Sequence, residues 1–344
     1  MRKLLNTLYI TRQEAYLSLD GENIVMLIQG KEAARLPLSN IESIVCMNYP
    51  GCSPALMGKC AEEQIGLCFV TPGGRFLARV TGPVKGNVLL RKQQAEIFSN
   101  TEKQTKLIQN LITAKLKNTR NLLMRSRRDY PETDENGELS HCIDILEENQ
   151  KKLLVEKDTD ILRGIEGQSA KAYFDVFDLL FTQQKEDFAL CRRTKRPPLD
   201  FTNAMLSFLY TICTNDIASA LECVGLDPYI GLFHTLRPGR VSLACDIMEE
   251  FRALVERLVI TLVNLKIVRK SDFEKQISGA VWLNNDGRKK VITAWQNKKN
   301  ECVKHPFIKE KVPIGLYPYV QANLLAKYVR GEIVMVKHFC NATV

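Results

Sequence analysis

Near residue 85 the spacing of apolar side chains changes, and this constrains the fold of the 344-residue chain more than any other feature. Before it, apolar residues come in short runs bounded by turn residues, the pattern of strands. Strands are expected at the N-terminus and over Tyr16 to Leu19, Asn23 to Gln29, Ile41 to Met47, Leu67 to Val70 and Phe76 to Val80. Asp20-Gly21 supplies a hairpin turn, and Ser53 followed by Pro54 starts one helix that runs to about Gln64. After Gly82-Pro83 the apolar residues take a helical period. Helices are expected over Val88 to Phe98, Glu102 to Arg125, Ser140 to Lys157, Thr159 to Phe181, Pro198 to Val224, Ser242 to Val268 and Asp272 to Ser278. The fold class is α+β: a small β-rich domain over 1–85 and a larger all-α domain over 86–344, helical to roughly Val336.

A hydrophobic content of 45% suffices for a large core. The net charge is +9, and from Val268 onward 14 Lys and Arg face 6 Asp and Glu, so +8 of the excess lies in that last part. Such a bias suits a polyanionic partner, although a solvated lysine surface reads the same way. The most apolar run, Leu258 to Val268, is broken by Asn264 and Lys266 and is shorter than the ~20 residues a spanning helix needs. The N-terminus makes a poor signal peptide, and eleven scattered cysteines without a Cys-x-x-Cys pair fit reduced thiols. A cytoplasmic protein with no membrane association is expected.

One stretch carries chemistry. His234 stands beside the turn Arg237-Pro-Gly-Arg240, and the helix that follows bears Asp246, Glu249 and Glu250 along one edge of its apolar face. Upstream, Glu166 lies between Gly164 and Gly167, a small-residue face that predicts the close approach of another helix. Carboxylates and one imidazole suit Mg²⁺ or Mn²⁺, not structural zinc. A plainer reading also holds: acids are common near helix starts, Glu249 can pair with Arg252, and His234 can be a satisfied, half-buried side chain. Basic residues at Arg192, Arg193, Lys195, Arg196, Arg237, Arg240, Arg288, Lys289 and Lys290 are candidate phosphate contacts.

Four motifs in order resemble the CRISPR-associated integrase family, the endonuclease that inserts new spacers. They are Gly164-Ile-Glu166-Gly, Arg196-Pro-Pro-Leu-Asp-Phe-Thr-Asn203 continuing to Tyr210, Gly225-Leu-Asp-Pro-Tyr-Ile-Gly-Leu-Phe-His234, and Ser242-Leu-Ala-Cys-Asp246-Ile-Met-Glu249-Glu250-Phe-Arg252. The opening Leu-Leu-Asn-Thr-Leu-Tyr and Gly82-Pro-Val-Lys-Gly-Asn-Val-Leu-Leu-Arg91 resemble its subtype I-C branch. The resemblance implies a β-sandwich that serves dimerisation, a helical catalytic domain, double-stranded DNA as fragment and target, a homodimer and a small ferredoxin-like partner. By motif position it makes Glu166, His234 and Glu249 the metal ligands and Asp246 a carboxylate that shares or supports the site. Asn203 and Tyr210 match positions near the active site. Two other readings stay open, a non-catalytic DNA-binding scaffold and a metal phosphohydrolase for small phosphate esters.

Overall fold

A computed structural model describes residues 6–72, 76–82, 88–190, 192–195 and 197–336. The first part forms strands β1 (Thr7–Ile10), β2 (Ala15–Asp20), β3 (Asn23–Ile28), β4 (Lys31–Pro37), β5 (Ser43–Cys46), β6 (Gly66–Val70) and β7 (Phe76–Val80). They make a mixed sheet of order β1-β5-β6-β7 and an antiparallel sheet of order β2-β3-β4. Helix α1 (Pro54–Glu63) lies between β5 and β6 in the chain. Proline holds its first position, and the Ser53 side chain accepts the N–H of Leu56 at 3.2 Å.

Alternation along the mixed sheet explains why its strands read as nearly continuous apolar runs. Ile10, Ile44, Cys46 and Leu67 point one way, into a core shared with Leu17 and Ile24 of the other sheet and Leu56 of α1. Tyr9, Val45, Met47, Cys68 and Val70 point the opposite way, into the core of the helical part. Side chains on a strand face opposite sides in turn, so this sheet is covered on both faces. Polar ties add to the contact: Arg79 of β7 meets Glu222 at 3.2 Å and the carbonyl of Asn215 at 3.0 Å.

The helical part contains α2 (Val88–Ser99), α3 (Thr101–Asp129), α4 (Glu138–Val155), α5 (Thr159–Asp175), α6 (Lys185–Phe188), α7 (Phe201–Cys223), α8 (Ser242–Met248), α9 (Arg252–Asn264), α10 (Asn285–Asn300) and α11 (Tyr317–Val329). Helix α3 packs against α4, α5 and α9, and α7 against α8, α9 and α11. By length and composition α7 could cross a membrane, yet 67% of its apolar window is buried inside this protein, where it serves as a core helix. Among the described residues no disulfide joins the nine cysteines, and Cys191 and Cys340 lie outside them.

Three expectations need correction. The helical part is not purely α: β8 (Phe273–Lys275) pairs with β9 (Val281–Leu283), and β10 (Cys302–Lys304) with β11 (Lys311–Pro313). Asp272 to Ser278, read as helix, holds β8 instead, because Gly279 at φ +80° permits the turn back to β9. The long helix expected over Ser242 to Val268 is interrupted by a 3₁₀ turn at Glu249–Phe251.

Candidate metal centre

Residues 224–241 join α7 to α8 without regular structure, so their backbone groups need side-chain partners. Gln94 donates to the carbonyls of Asp227 and Ile230 and accepts the N–H of Asp227; Gln104 donates to the carbonyl of Leu232 at 2.8 Å. Arg163, one turn before Glu166 on α5, donates to the carbonyl of Phe233 at 3.1 Å. The N–H groups converge on Asp246, which is fully buried. Its Oδ2 accepts from Leu232 at 2.6 Å and Phe233 at 3.2 Å, and its Oδ1 accepts from the His234 backbone at 2.9 Å and faces Nδ1 of the imidazole at 2.6 Å.

With backbone donors on both oxygens, Asp246 can only accept, so Nδ1 carries the proton toward it and Nε2 is left with its lone pair outward. Of sharing or supporting the site, Asp246 is built to support. This packing requires Gly231, since a Cβ there would lie 2.6 Å from Ser242 Cβ and 2.9 Å from Asp246 Oδ2. Gly231→Ala is expected to push the loop off α8, costing about 1–3 kcal/mol of stability as overpacking does. An unchanged urea midpoint would contradict that.

The 3₁₀ turn brings Glu249 into line. Side chains three residues apart eclipse in such a turn, and Arg252 Nε reaches Glu249 Oε2 at 2.7 Å. His234 Nε2 faces Glu249 Oε1 at 3.8 Å. Lys115 of α3 stands in the middle: its ammonium touches Glu249 Oε2 at 2.6 Å and forms a short contact with Glu166. Burial tends to raise the Glu249 carboxyl, but Arg252 and then Lys115 outweigh it and hold it well below the ordinary range. Burial likewise opposes the charge on Lys115, yet Glu249 and Glu166 keep its ammonium above the usual value.

Glu166 from α5 and Glu249 from the turn after α8 both touch the Lys115 ammonium, and His234 Nε2 lies 3.8 Å from Glu249. Two hard carboxylates and an imidazole nitrogen are a donor set for Mg²⁺ or Mn²⁺. Among the described residues no group of three or more His, Cys, Asp or Glu side chains is placed to hold a metal ion. The ammonium of Lys115 sits between the two glutamates instead. The donors fit a hard divalent metal in kind, and Lys115 would have to give way for it to reach both glutamates.

Lys115 escapes a reading of the motifs, although a signal exists: it stands with Ile108, Ile112, Thr119 and Leu122 on the buried face of α3. A buried charge needs a partner. Glu256 was also missed; it is buried, accepts the Tyr210 hydroxyl at 2.5 Å and is raised by burial. Gly164 and Gly167 do not receive a neighbouring helix as expected: both are exposed, with nothing within 4 Å of a Cβ, which leaves space beside Glu166. A pocket of about 80 Å³ opens there, lined by Lys115, Glu166, Tyr173, Lys195, Arg252 and Glu256.

Asn203 and Tyr210 lie beside this centre. Asn203 ties down the basic segment, donating to the Arg192 carbonyl at 2.9 Å and accepting the Thr194 N–H at 3.0 Å. The Tyr210 ring carries Arg252 at 4.9 Å and Arg193 at 5.4 Å. Arg193 thus turns inward, bonded to Asn203 and Ser207, while Arg192, Lys195, Arg237 and Lys289 are exposed and Arg240 is half-buried. Although the Lys195 side chain is exposed, its ammonium lines the pocket, and partial loss of water there, followed by the charges of Arg252 and Arg193, lowers it. Two of the expected phosphate contacts are corrected. Arg288 is buried and donates to the carbonyls of Pro72 at 2.7 Å and Leu283 at 3.2 Å, and Lys290 grips both oxygens of Asp272. Arg196 lies outside the described residues.

The family profile described as CRISPR associated protein Cas1 matches residues 8–297. The chain belongs to the Cas1 family. A CRISPR-associated endonuclease Cas1 of Chlorobaculum tepidum is 44% identical over 340 residues, 98% of this chain and 99% of that protein. One from Rhodospirillum rubrum is 44% identical over 338 residues, 97% of each. A CAS1 protein from Thermotoga maritima shares the Cas1 fold at a TM-score of 0.81 and 22% identity, with 95% of this chain and 97% of that one covered. A β-rich N-terminal part followed by a mostly helical one is thus the family architecture.

Proposed function

We propose that this Cas1 chain is a metal-dependent DNA endonuclease and integrase that inserts short DNA fragments as new spacers into a CRISPR array. The observation that carries this reading is the pair of glutamates, Glu166 and Glu249, that share the Lys115 ammonium, with His234 Nε2 at 3.8 Å from Glu249, beside exposed basic residues. The endonuclease names of the relatives at 44% identity support it. In the reaction, the 3′ hydroxyl oxygen of the fragment forms a bond to a phosphorus of the target strand, and the bond from that phosphorus to the target's own 3′ oxygen breaks. The attacking hydroxyl loses a proton and the departing oxygen gains one, so one phosphodiester replaces another.

Glu166, Glu249 and His234 Nε2 would hold Mg²⁺ or Mn²⁺, which when bound polarises the phosphoryl group and eases deprotonation of the attacking hydroxyl. Asp246 fixes the imidazole tautomer so that Nε2 presents its lone pair. Arg192, Lys195, Arg237 and Lys289 would take backbone phosphates, which position DNA without reading its sequence. The same reading extends to a homodimer joined through the β-rich part, a small ferredoxin-like partner and a cytoplasmic setting. A solved Cas6-RT-Cas1–Cas2 complex contains a region with the same fold, at a TM-score of 0.82 and 22% identity.

The test is integration of a short duplex into a supercoiled plasmid carrying an array, with and without the small partner. Product should require Mn²⁺ or Mg²⁺, vanish with EDTA and vanish in His234→Ala and Glu166→Ala proteins. Normal product from either variant rejects the assignment. The Arg192→Gln, Lys195→Gln double variant should bind DNA with a salt slope shallower by about two, near one per lost phosphate contact. Loss of the double variant's activity on DNA, with no turnover of phosphate monoesters by the native chain, would belong to a DNA enzyme; monoester turnover by the native chain that the double variant retains would favour a phosphohydrolase.

A further inference from the structure

We propose that Lys115 is a built-in counter-ion that occupies the cation position between Glu166 and Glu249 and must be displaced before a divalent metal can bind. The inference rests on the metal-centre reading above and deepens it. Its ground is geometry: one buried ammonium touches both glutamates that the metal needs, at 2.6 Å from Glu249 and in short contact with Glu166. Charge points the same way. Two carboxylates already face two cations, Lys115 and Arg252, and a divalent ion added to this balanced set would leave it with an excess of two positive charges.

Without Lys115, the buried Glu249 would keep only Arg252 as a full counter-charge, so a metal-free protein would be left with an ill-compensated carboxylate. Lys115 therefore keeps the metal-free site intact and weakens its hold on metal, two effects of one contact. Once displaced, the ammonium joins Lys195 and Arg252, which also line the adjoining pocket, and adds a cation on the side where phosphates would lie.

The measurement is Mn²⁺ affinity of DNA-free protein, followed by electron paramagnetic resonance, for the native chain, Lys115→Met and His234→Ala. Lys115→Met should bind Mn²⁺ about tenfold or more tightly than the native chain, because a like charge beside the ion has gone. Its thermal midpoint should fall in EDTA and recover with Mn²⁺ by more than the native midpoint rises. A second readout uses the native protein only: reductive methylation of Lys115, normalised to Lys299, which is buried and paired with Asp216 at 3.0 Å. Saturating Mn²⁺ should raise Lys115 modification. If the native chain binds Mn²⁺ through His234, but Lys115→Met binds it no more tightly and Lys115 labelling does not rise, the displaced counter-ion is wrong and the metal centre stands. If Mn²⁺ binding is absent, or unaffected by His234→Ala, the metal-centre reading falls and takes this inference with it. Should Lys115→Met not fold, the labelling experiment decides alone.

Discussion

Asp246→Asn is expected to cut metal-dependent DNA cleavage by about 10- to 100-fold in a chain that still folds, the usual cost of changing the carboxylate that orients a metal-ligating imidazole. Both oxygens of Asp246 face donors: Leu232 and Phe233 N–H on one, His234 N–H and imidazole Nδ1 on the other. Asparagine offers a single oxygen, so either orientation sets its NH₂ against a donor, at about 1–3 kcal/mol for the unsatisfied group. The less costly escape turns the imidazole to its other tautomer, which puts a proton on Nε2, the atom that faces Glu249. The ¹⁵N spectrum of His234 separates this from simple unfolding by showing the exchanged tautomer in a folded protein. Activity within about threefold of the native chain would sink the role given to Asp246.

Phe177→Ala should remove about 3–5 kcal/mol of stability, a large share of the roughly 5–15 kcal/mol available to a folded protein. Phe177 is fully buried and meets Tyr173 edge-on at 5.6 Å and Phe181 at 5.7 Å. This cluster closes the end of α5, the helix that carries Glu166, and alanine would leave a cavity that its rigid aromatic neighbours cannot fill. The urea midpoint followed by circular dichroism checks it. A loss below about 1 kcal/mol would mean that the cluster collapses around the gap more freely than its geometry implies.

The change from strands to helices near residue 85 was legible because hydrophobic period depends only on which side chains must be buried. The strand β4 was not, since every residue from Lys31 to Pro37 is exposed and no alternation marks it; pairing with β3 alone makes it a strand. The break between α8 and α9 was hidden because the apolar pattern runs through it unbroken, and only the inward-facing charges of Glu249 and Glu250 distinguish the turn.

At the site, type and spacing pick out the acids and the imidazole as candidates, but not the partners that surround them. A lysine among apolar residues usually snorkels to the surface, so sequence gives little reason to expect Lys115 beneath two glutamates. Arg288-Lys289-Lys290 reads as one basic patch, yet the chain sends the three side chains to three places: a carbonyl cradle, open solvent and Asp272. Charge runs reveal composition, and helix rotation decides direction.

The mixed sheet of four strands has a mechanical consequence. Because it is the middle of three layers, it is a shared wall: each of its central strands belongs to both hydrophobic cores at once. Severing the peptide chain between Gly82 and Val88 would therefore not free one half from the other, as parting them would strip water-avoiding surface from Val45, Met47, Cys68 and Val70. A nicked molecule should migrate as a single particle until denatured.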